Sequence, residues 1–309
     1  METNLKHLAR RIVDLSPIGF DCDFYNNPIG NFSLLPYGDC YLASFRVFGY
    51  FITTERQEYL YTPNMVLEKP DEHIFCLLDG DFNFVKRLPL AENTYHKPHE
   101  FRDNRTYLED GRLCEWEGEI YLTSATFYTK SNRYEKMGLE VQRLAIEGDE
   151  ITAKHFWNSC EAGITGRHKN WMPIPDKPFK FITATYENGA QMIDISTDRF
   201  TEGGICEGEM YRGNTPLVKT DFGYMTITHK VTADDCGRKR YVNYLIEYNA
   251  DLSVRRISKP LKLCESNIEF VTALIPLPHG EIAVGVTSMD DTPLLMIFGK
   301  HDFLRELAK

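Results

Sequence analysis

From residue 15 onward the apolar residues come in short runs, and almost every run is cut by Gly, Pro, Asn or Asp. Helical periodicity is scarce. Short runs of this kind, bounded by turn residues, are the pattern of an all-β chain. The runs also repeat as a unit. Glu109-Asp110-Gly111-Arg112 opens a strand, a Gly turn follows at Glu117-Gly118, and a second strand begins at Glu119-Ile120-Tyr121. The same layout returns at Lys169-Asn170-Trp171, at Arg212-Gly213-Asn214-Thr215-Pro216 and at Asn267-Ile268-Glu269-Phe270. A repeated strand unit that starts each time on polar residues predicts a β-propeller, with a polar site where the starts converge.

Spacing of the turns predicts five blades in one domain spanning residues 1–309. They lie at roughly 25–90, 105–147, 168–200, 212–258 and 267–300. Two connections are long for a compact fold, one around Tyr95 to Asn104 and one around His155 to Arg167. The opening residues, Met1 to Val13, read as a short amphipathic N-terminal helix capping the fold's edge. Aromatic residues make up 13 % of the chain, with 17 Tyr and 19 Phe, which suits pleated, half-buried surfaces.

Composition excludes several classes. A net charge of −10 argues against a general nucleic-acid binder, which needs a basic footprint. No stretch reaches the ~18 apolar residues of a membrane span, and no apolar signal core opens the chain. The eight cysteines are scattered with no C-x-x-C pair, so they read as thiols of a reducing, cytoplasmic compartment. There is no Gly-rich phosphate loop, no Ser nucleophile elbow and no zinc spacing, so no cofactor and no metal are expected. The Asp21-Cys22-Asp23 triplet reads as a polar loop. The oligomeric state is not encoded in any recognisable feature.

In a propeller the starts of the innermost strands face one mouth of the central channel. Asp110, Asn170, Asn214 and Glu269 hold equivalent places in four blades, with Arg112, Lys169 and Arg212 beside them. Carboxylates could move protons, cations could hold phosphate, and amides could hold sugar hydroxyls. A plainer reading stands next to this one: Asp110 and Arg112 only brace a turn. His229 reads equally as a core histidine, Asp290-Asp291 as turn chemistry, Trp171 as core, and Arg238-Lys239-Arg240 as a solvated hairpin loop.

On these motifs the chain resembles the five-bladed propeller β-mannoside phosphorylases and mannosidases, and the related mannosyltransferases. The shared marks are Glu109-Asp110-Gly111-Arg112 followed by Tyr121-Leu122-Thr123, then Lys169-Asn170-Trp171, then Gly213-Asn214-Thr215-Pro216 leading to His229. Glu269-Phe270, Val284-Gly285-Val286 and Asp290-Asp291 follow, with Asn27-Pro28 and Arg46 upstream, so the resemblance spans about residues 25 to 300. It implies that Asp110 is the proton donor, acting through a sugar hydroxyl. It implies phosphate contacts from Lys169 and His229, with Arg143 and Arg167 as ambiguous candidates. Asn27, Arg46, Glu109, Arg112, Asn170, Arg212, Asn214, Glu269 and Asp290 would complete the substrate site. The paired arginines usual in the phosphorylases are not cleanly present, which favours a transferase, and Gly111 replaces the more usual Pro or Ala. The expected partners are a phosphate-bearing sugar donor and a glycan acceptor. The alternatives are a β-mannoside phosphorylase or hydrolase using the same Asp110, and a non-catalytic glycan-binding propeller.

Overall fold

A computed structural model describes every residue except 1, 22–27, 49, 54–56, 58, 62–72, 92–105, 131–132, 165–168 and 309. Asn27, Arg167, Asp23 and the 95–104 loop therefore lie outside the described residues. The described chain is all-β with one helix longer than a single turn, Lys300–Ala308, at its C-terminal end.

Four four-stranded antiparallel sheets have the make-up of propeller blades. In chain order they begin with strands Ile29–Tyr37, Thr106–Trp116, Met172–Pro173 and Glu269–Leu277. The stretch expected as a fourth blade departs from that make-up. It belongs to a seven-stranded sheet that adds Leu261–Lys262 and Thr3–Asn4 to the strands between Arg212 and Ile257. Among the described residues the count of four-stranded blades is therefore four, not the five expected.

Side chains and backbone link each sheet to the next, and the last to the first. The Leu113 N–H donates to Ser33 Oγ, and Trp116 Nε1 to the Ile174 carbonyl. The Leu217 N–H donates to the Pro173 carbonyl, Asn243 Nδ2 to the Glu269 carbonyl, and the Asn31 N–H to Thr287 Oγ1. Each seam between neighbouring sheets carries its own apolar cluster. The ring is thus held by five small cores in place of one large one.

The N-terminal residues do not form the expected helix. Only Lys6–Leu8 makes a 3₁₀ turn, while Thr3–Asn4 pairs parallel with Leu261–Lys262 and Arg11–Asp14 pairs with Ile297 to Leu294. Leu5 is fully buried between these two attachments. The spacing of Leu5, Leu8 and Ile12 imitates a helical stripe, but the partners that decide the conformation lie far along the chain. The first sheet opens within the expected span. Ile29–Tyr37 is its leading strand, and Tyr50–Ile52 leaves it to pair with Tyr59–Tyr61. The segment expected as a loop from His155 begins as the strand Glu150–Asn158, the outer strand of the second sheet. Among the described residues no helix is long and apolar enough to cross a membrane.

Candidate active site

Two neighbouring leading strands carry the same local device. In the first sheet Gly30 pairs with Arg46 and Ser33 with Ser44, so Asn31 and Phe32 face the single residue Phe45. In the second, Arg112 pairs with Thr123 and Glu109 with Ala125, so Asp110 and Gly111 face Ser124. These are β-bulges, which re-aim a side chain out of the regular alternation. The leading residue of each is left-handed, Asn31 at φ 42° and Asp110 at φ 54°. Asn and Asp are among the few side chains that tolerate this region. Both side chains then meet: Asn31 Nδ2 donates to Asp110 Oδ1 over 2.7 Å.

Two cations clamp a pair of carboxylates at this point. Arg46 Nη1 donates to Asp110 Oδ1 at 3.2 Å and Nη2 to Glu109 Oε1 at 2.8 Å. Lys169 Nζ lies 3.0 Å from Glu109 Oε2 and 3.3 Å from Asp110 Oδ2. Burial alone would raise the Asp110 pKa, but Lys169, Arg46 and Arg112, with the Asn31 bond, hold it well below the ordinary carboxylate range. Lys169 moves the other way. Burial would lower it, and the Asp110 and Glu109 carboxylates outweigh that and raise it.

Arg112 is buried beside this pair but is engaged differently from expectation. Its Nε donates to the Asn214 carbonyl and its Nη1 to the Asp110 carbonyl, and it lies 5.5 Å over the Phe270 ring. Burial brings its pKa down to about 10, with Asp110 opposing. Those contacts make it a strut under the bulge.

His229 belongs to a chain of amides whose direction can be worked out. The Glu269 carbonyl can only accept, so Asn243 turns Nδ2 toward it at 3.1 Å. The Asn243 Oδ1 then accepts from Asn214 Nδ2 at 3.0 Å, which leaves Asn214 Oδ1 facing His229 Nδ1. Nδ1 therefore carries the proton and Nε2 is an acceptor. Burial, then Arg212, Lys169, Arg112 and Lys239, push the His229 pKa down to about 3, so the ring is neutral. In that form Nε2 can receive a sugar hydroxyl but cannot donate to a phosphate dianion, the contact that the sequence resemblance implied.

Tyr241 stacks on His229 with ring centroids 4.7 Å apart, and Lys239 Nζ sits 4.7 Å over the Tyr241 ring. Burial and the nearby Lys169 lower the Lys239 pKa, and Asp290 and Asp110 oppose. Arg212 is exposed on the strand that pairs with His229. Lys169, Arg212, Asp110 and Asp290, the last left-handed at φ 60°, all lie within electrostatic range of Lys239, so Lys169, Arg212 and Lys239 make a basic rim beside the carboxylate pair. Lys239, expected in a solvated hairpin loop, is exposed, but it begins the strand Lys239–Asn249 and sets its Nζ over the Tyr241 ring.

Asn170 is buried and left-handed, with Oδ1 unpartnered among the described residues. Glu269 does not join the Asp110 group. Its Oε2 accepts the Leu263 N–H at 2.9 Å, and burial raises its pKa to about 7. Sequence reasoning missed Asn31, His73, Lys239, Tyr241 and Asn243. For Asn31 a signal existed: a Gly-Asn pair inside the apolar run from Ile29 to Leu35 marks a bulge. Among the described residues no group of three or more His, Cys, Asp or Glu side chains is placed to hold a metal ion.

No protein-family model matches the chain, and no curated protein matches it by sequence. Solved structures do match. One is a β-1,2-mannobiose phosphorylase from Listeria innocua, at TM-score 0.60 and 11 % identity, over 96 % of this chain and 99 % of that one. A second is MPT-1, a GDP-Man-dependent mannosyltransferase from Leishmania mexicana, at 0.56 and 13 %, over 89 % and 86 %. A third is MPT-4, a mannose phosphorylase from the same organism in complex with phosphate, at 0.55 and 12 %, over 91 % and 86 %. At these identities the likeness is one of fold.

Proposed function

We infer that the protein is a carbohydrate-active enzyme, acting through one catalytic domain, that transfers a hexosyl unit of mannose type to a glycan acceptor. The donor is a nucleotide sugar or a sugar phosphate. The observation that carries this reading is the Glu109–Asp110 pair clamped by Arg46 and Lys169 beside the basic rim of Arg212 and Lys239. A carboxylate group that can move a proton lies next to cations that suit a departing phosphate. The fold neighbours, two mannoside or mannose phosphorylases and a mannosyltransferase, support the same reading.

Asp110 is ionised at rest, which suits it to take the acceptor hydroxyl's proton as the donor C–O bond breaks and phosphate leaves with the electron pair. A phosphate dianion on the rim would also draw on the positive charge of Lys169. Asp110 would then hold a proton more readily while substrate is bound. Asn170, Asn214 through His229, and Asp290 are the proposed sugar contacts. Phosphorolysis with the same Asp110 is the second reading, favoured by a rim large enough in charge for inorganic phosphate. The test is a panel of nucleotide sugars, sugar 1-phosphates and inorganic phosphate, read by thermal shift. A ligand that binds only the folded chain raises Tm by mass action. Stabilisation by a phosphate-bearing sugar is expected, and a flat response across the panel would leave the glycan-binding alternative standing.

A further inference from the structure

The seam between the first and second sheets changes character halfway along. At one end Leu42, Leu77, Leu122, Leu144 and Ala153 pack into a continuous apolar cluster with Phe75. Further along the same faces stand Ser44, opposite Phe75, and Gln142, opposite Leu122, and one step beyond them His73, opposite Arg46, and Ser124, opposite Glu140. Ser44, Ser124 and Gln142 are almost wholly buried. Ser44 Oγ, His73 Nε2, Ser124 Oγ and both amide atoms of Gln142 have no partner among the described residues.

The placement of these groups is specific. Ser124 is the residue that faces the Asp110–Gly111 bulge, and it pairs across the strands with Glu140. His73 reaches the bulge from the other sheet, its Cε1 lying 2.7 Å from where a Cβ on Gly111 would stand. Burial and Arg46 hold the His73 pKa down at about 4, so its ring is neutral. On the outer side Glu140 Oε1 meets His155 Nδ1 at 2.7 Å, and His155 Nε2 meets Glu161 Oε2 at 3.2 Å. Glu161 is exposed. Buried polar atoms in native proteins find partners, and a water that joins two to four of them is the ordinary solution.

We propose that this polar half of the seam is an internal water site lined by Ser44, His73, Ser124 and Gln142, opening outward at Glu140, His155 and Glu161. It gives Asp110 a rear route for protons that does not pass through the substrate mouth. The inference rests on the reading of Asp110 as the proton-transfer group. One proton enters from solvent at His155 and one arrives at the Asp110 carboxylate. Only O–H and N–H bonds are made and broken along the way, and no redox partner is needed. The Glu140 hydrogen bond raises the His155 pKa, as befits a proton entry group.

A high-resolution crystal structure of the full chain should show ordered water on the Gln142 amide and Ser124, and Gln142→Leu should remove it. In turnover assays Gln142→Leu should lower kcat about tenfold with KM unchanged, a fraction of what acid–base catalysis supplies. Imidazole buffer should restore it, since a small proton carrier replaces the route. A defect of packing alone would not respond to buffer. Ser124→Ala, the milder change, should show the same pattern if Gln142→Leu folds poorly. An empty seam in the wild-type structure overturns the proposal. So does wild-type kcat in a folded variant, or a loss of kcat that buffer does not relieve. A wild type inactive on every donor would instead strike the transfer reading, and the seam density would still decide the water site.

Discussion

Glu269 is buried at the head of the strand Glu269–Leu277. It starts its strand where expected, yet its carboxylate turns into the backbone of Leu263. A carboxyl raised to about 7 binds a proton in the folded chain that the unfolded chain releases near its ordinary value of ~4.3. The folded state therefore binds more protons between those values, and stability falls as pH rises through that window. Asp110 has the opposite sign in a separate window, since a depressed carboxylate loses its contribution only below about pH 4. Glu269→Gln should accordingly raise Tm at pH 8 and flatten its pH dependence between about 4.5 and 7. The effect should be on the order of 3 kcal/mol at most. An unchanged Tm profile would mean that Glu269 is not buried as a titrating acid. Lys169→Ala tests a second residue. It should raise the Kd of a phosphate-bearing donor and make that Kd less sensitive to salt, because a charge-assisted contact is removed. Unchanged affinity at both salt concentrations would reduce Lys169 to a brace for Glu109 and Asp110.

At the scale of strands and bulges, Glu109-Asp110-Gly111-Arg112 reads as the opening of a strand, whereas it forms a bulge inside the longer strand Thr106–Trp116. Glu109-Asp110-Gly111-Arg112 contains its own turn chemistry, because a left-handed Asp followed by Gly is a local instruction. Asn31 was hidden for the opposite reason. Its neighbours Ile29 and Phe32 look like any buried strand, and its partner Asp110 lies 79 positions away. The N-terminal strands were misread because their pairings, Thr3 with Leu261 and Arg11 with Ile297, override a weak local helical pattern. Lys239 was lost in what looked like a charged loop, since nothing local says that the strand begins at Lys239. The bulge itself can be tested. A Cβ on Gly111 would stand 2.7 Å from His73 Cε1 and 2.9 Å from Leu122 Cδ1. Gly111→Ala should cost about 1–3 kcal/mol through overpacking and lower kcat by displacing Asp110. Adding His73→Ala should recover part of the stability loss, and a double-mutant cycle measures the coupling. Strict additivity would show that the two residues do not share that space.

Across the whole molecule, an acidic chain concentrates cations in one place. The net charge is −10, yet Arg46, Arg112 and Lys169 lie at the Asp110 bulge, with the exposed Arg212 and Lys239 near the adjoining His229. The proposed phosphate contact is therefore local to this cluster, against the charge of the chain as a whole. Cations of this kind can neutralise a leaving phosphate, a task for which many enzymes use a metal ion. Activity should survive chelator treatment, with magnesium or manganese adding nothing. Loss in chelator and recovery with metal would contradict this and direct attention to Asp290 and Asp291. The most direct test of the account as a whole is turnover by wild type and Asp110→Asn with a phosphate-bearing mannosyl donor and a glycan acceptor. Asn tolerates the left-handed backbone at this position, so the variant should fold. The wild type should release nucleotide or sugar phosphate, and the folded variant should lose about 10²–10⁴-fold of that turnover. Near-wild-type turnover by folded Asp110→Asn would contradict the account.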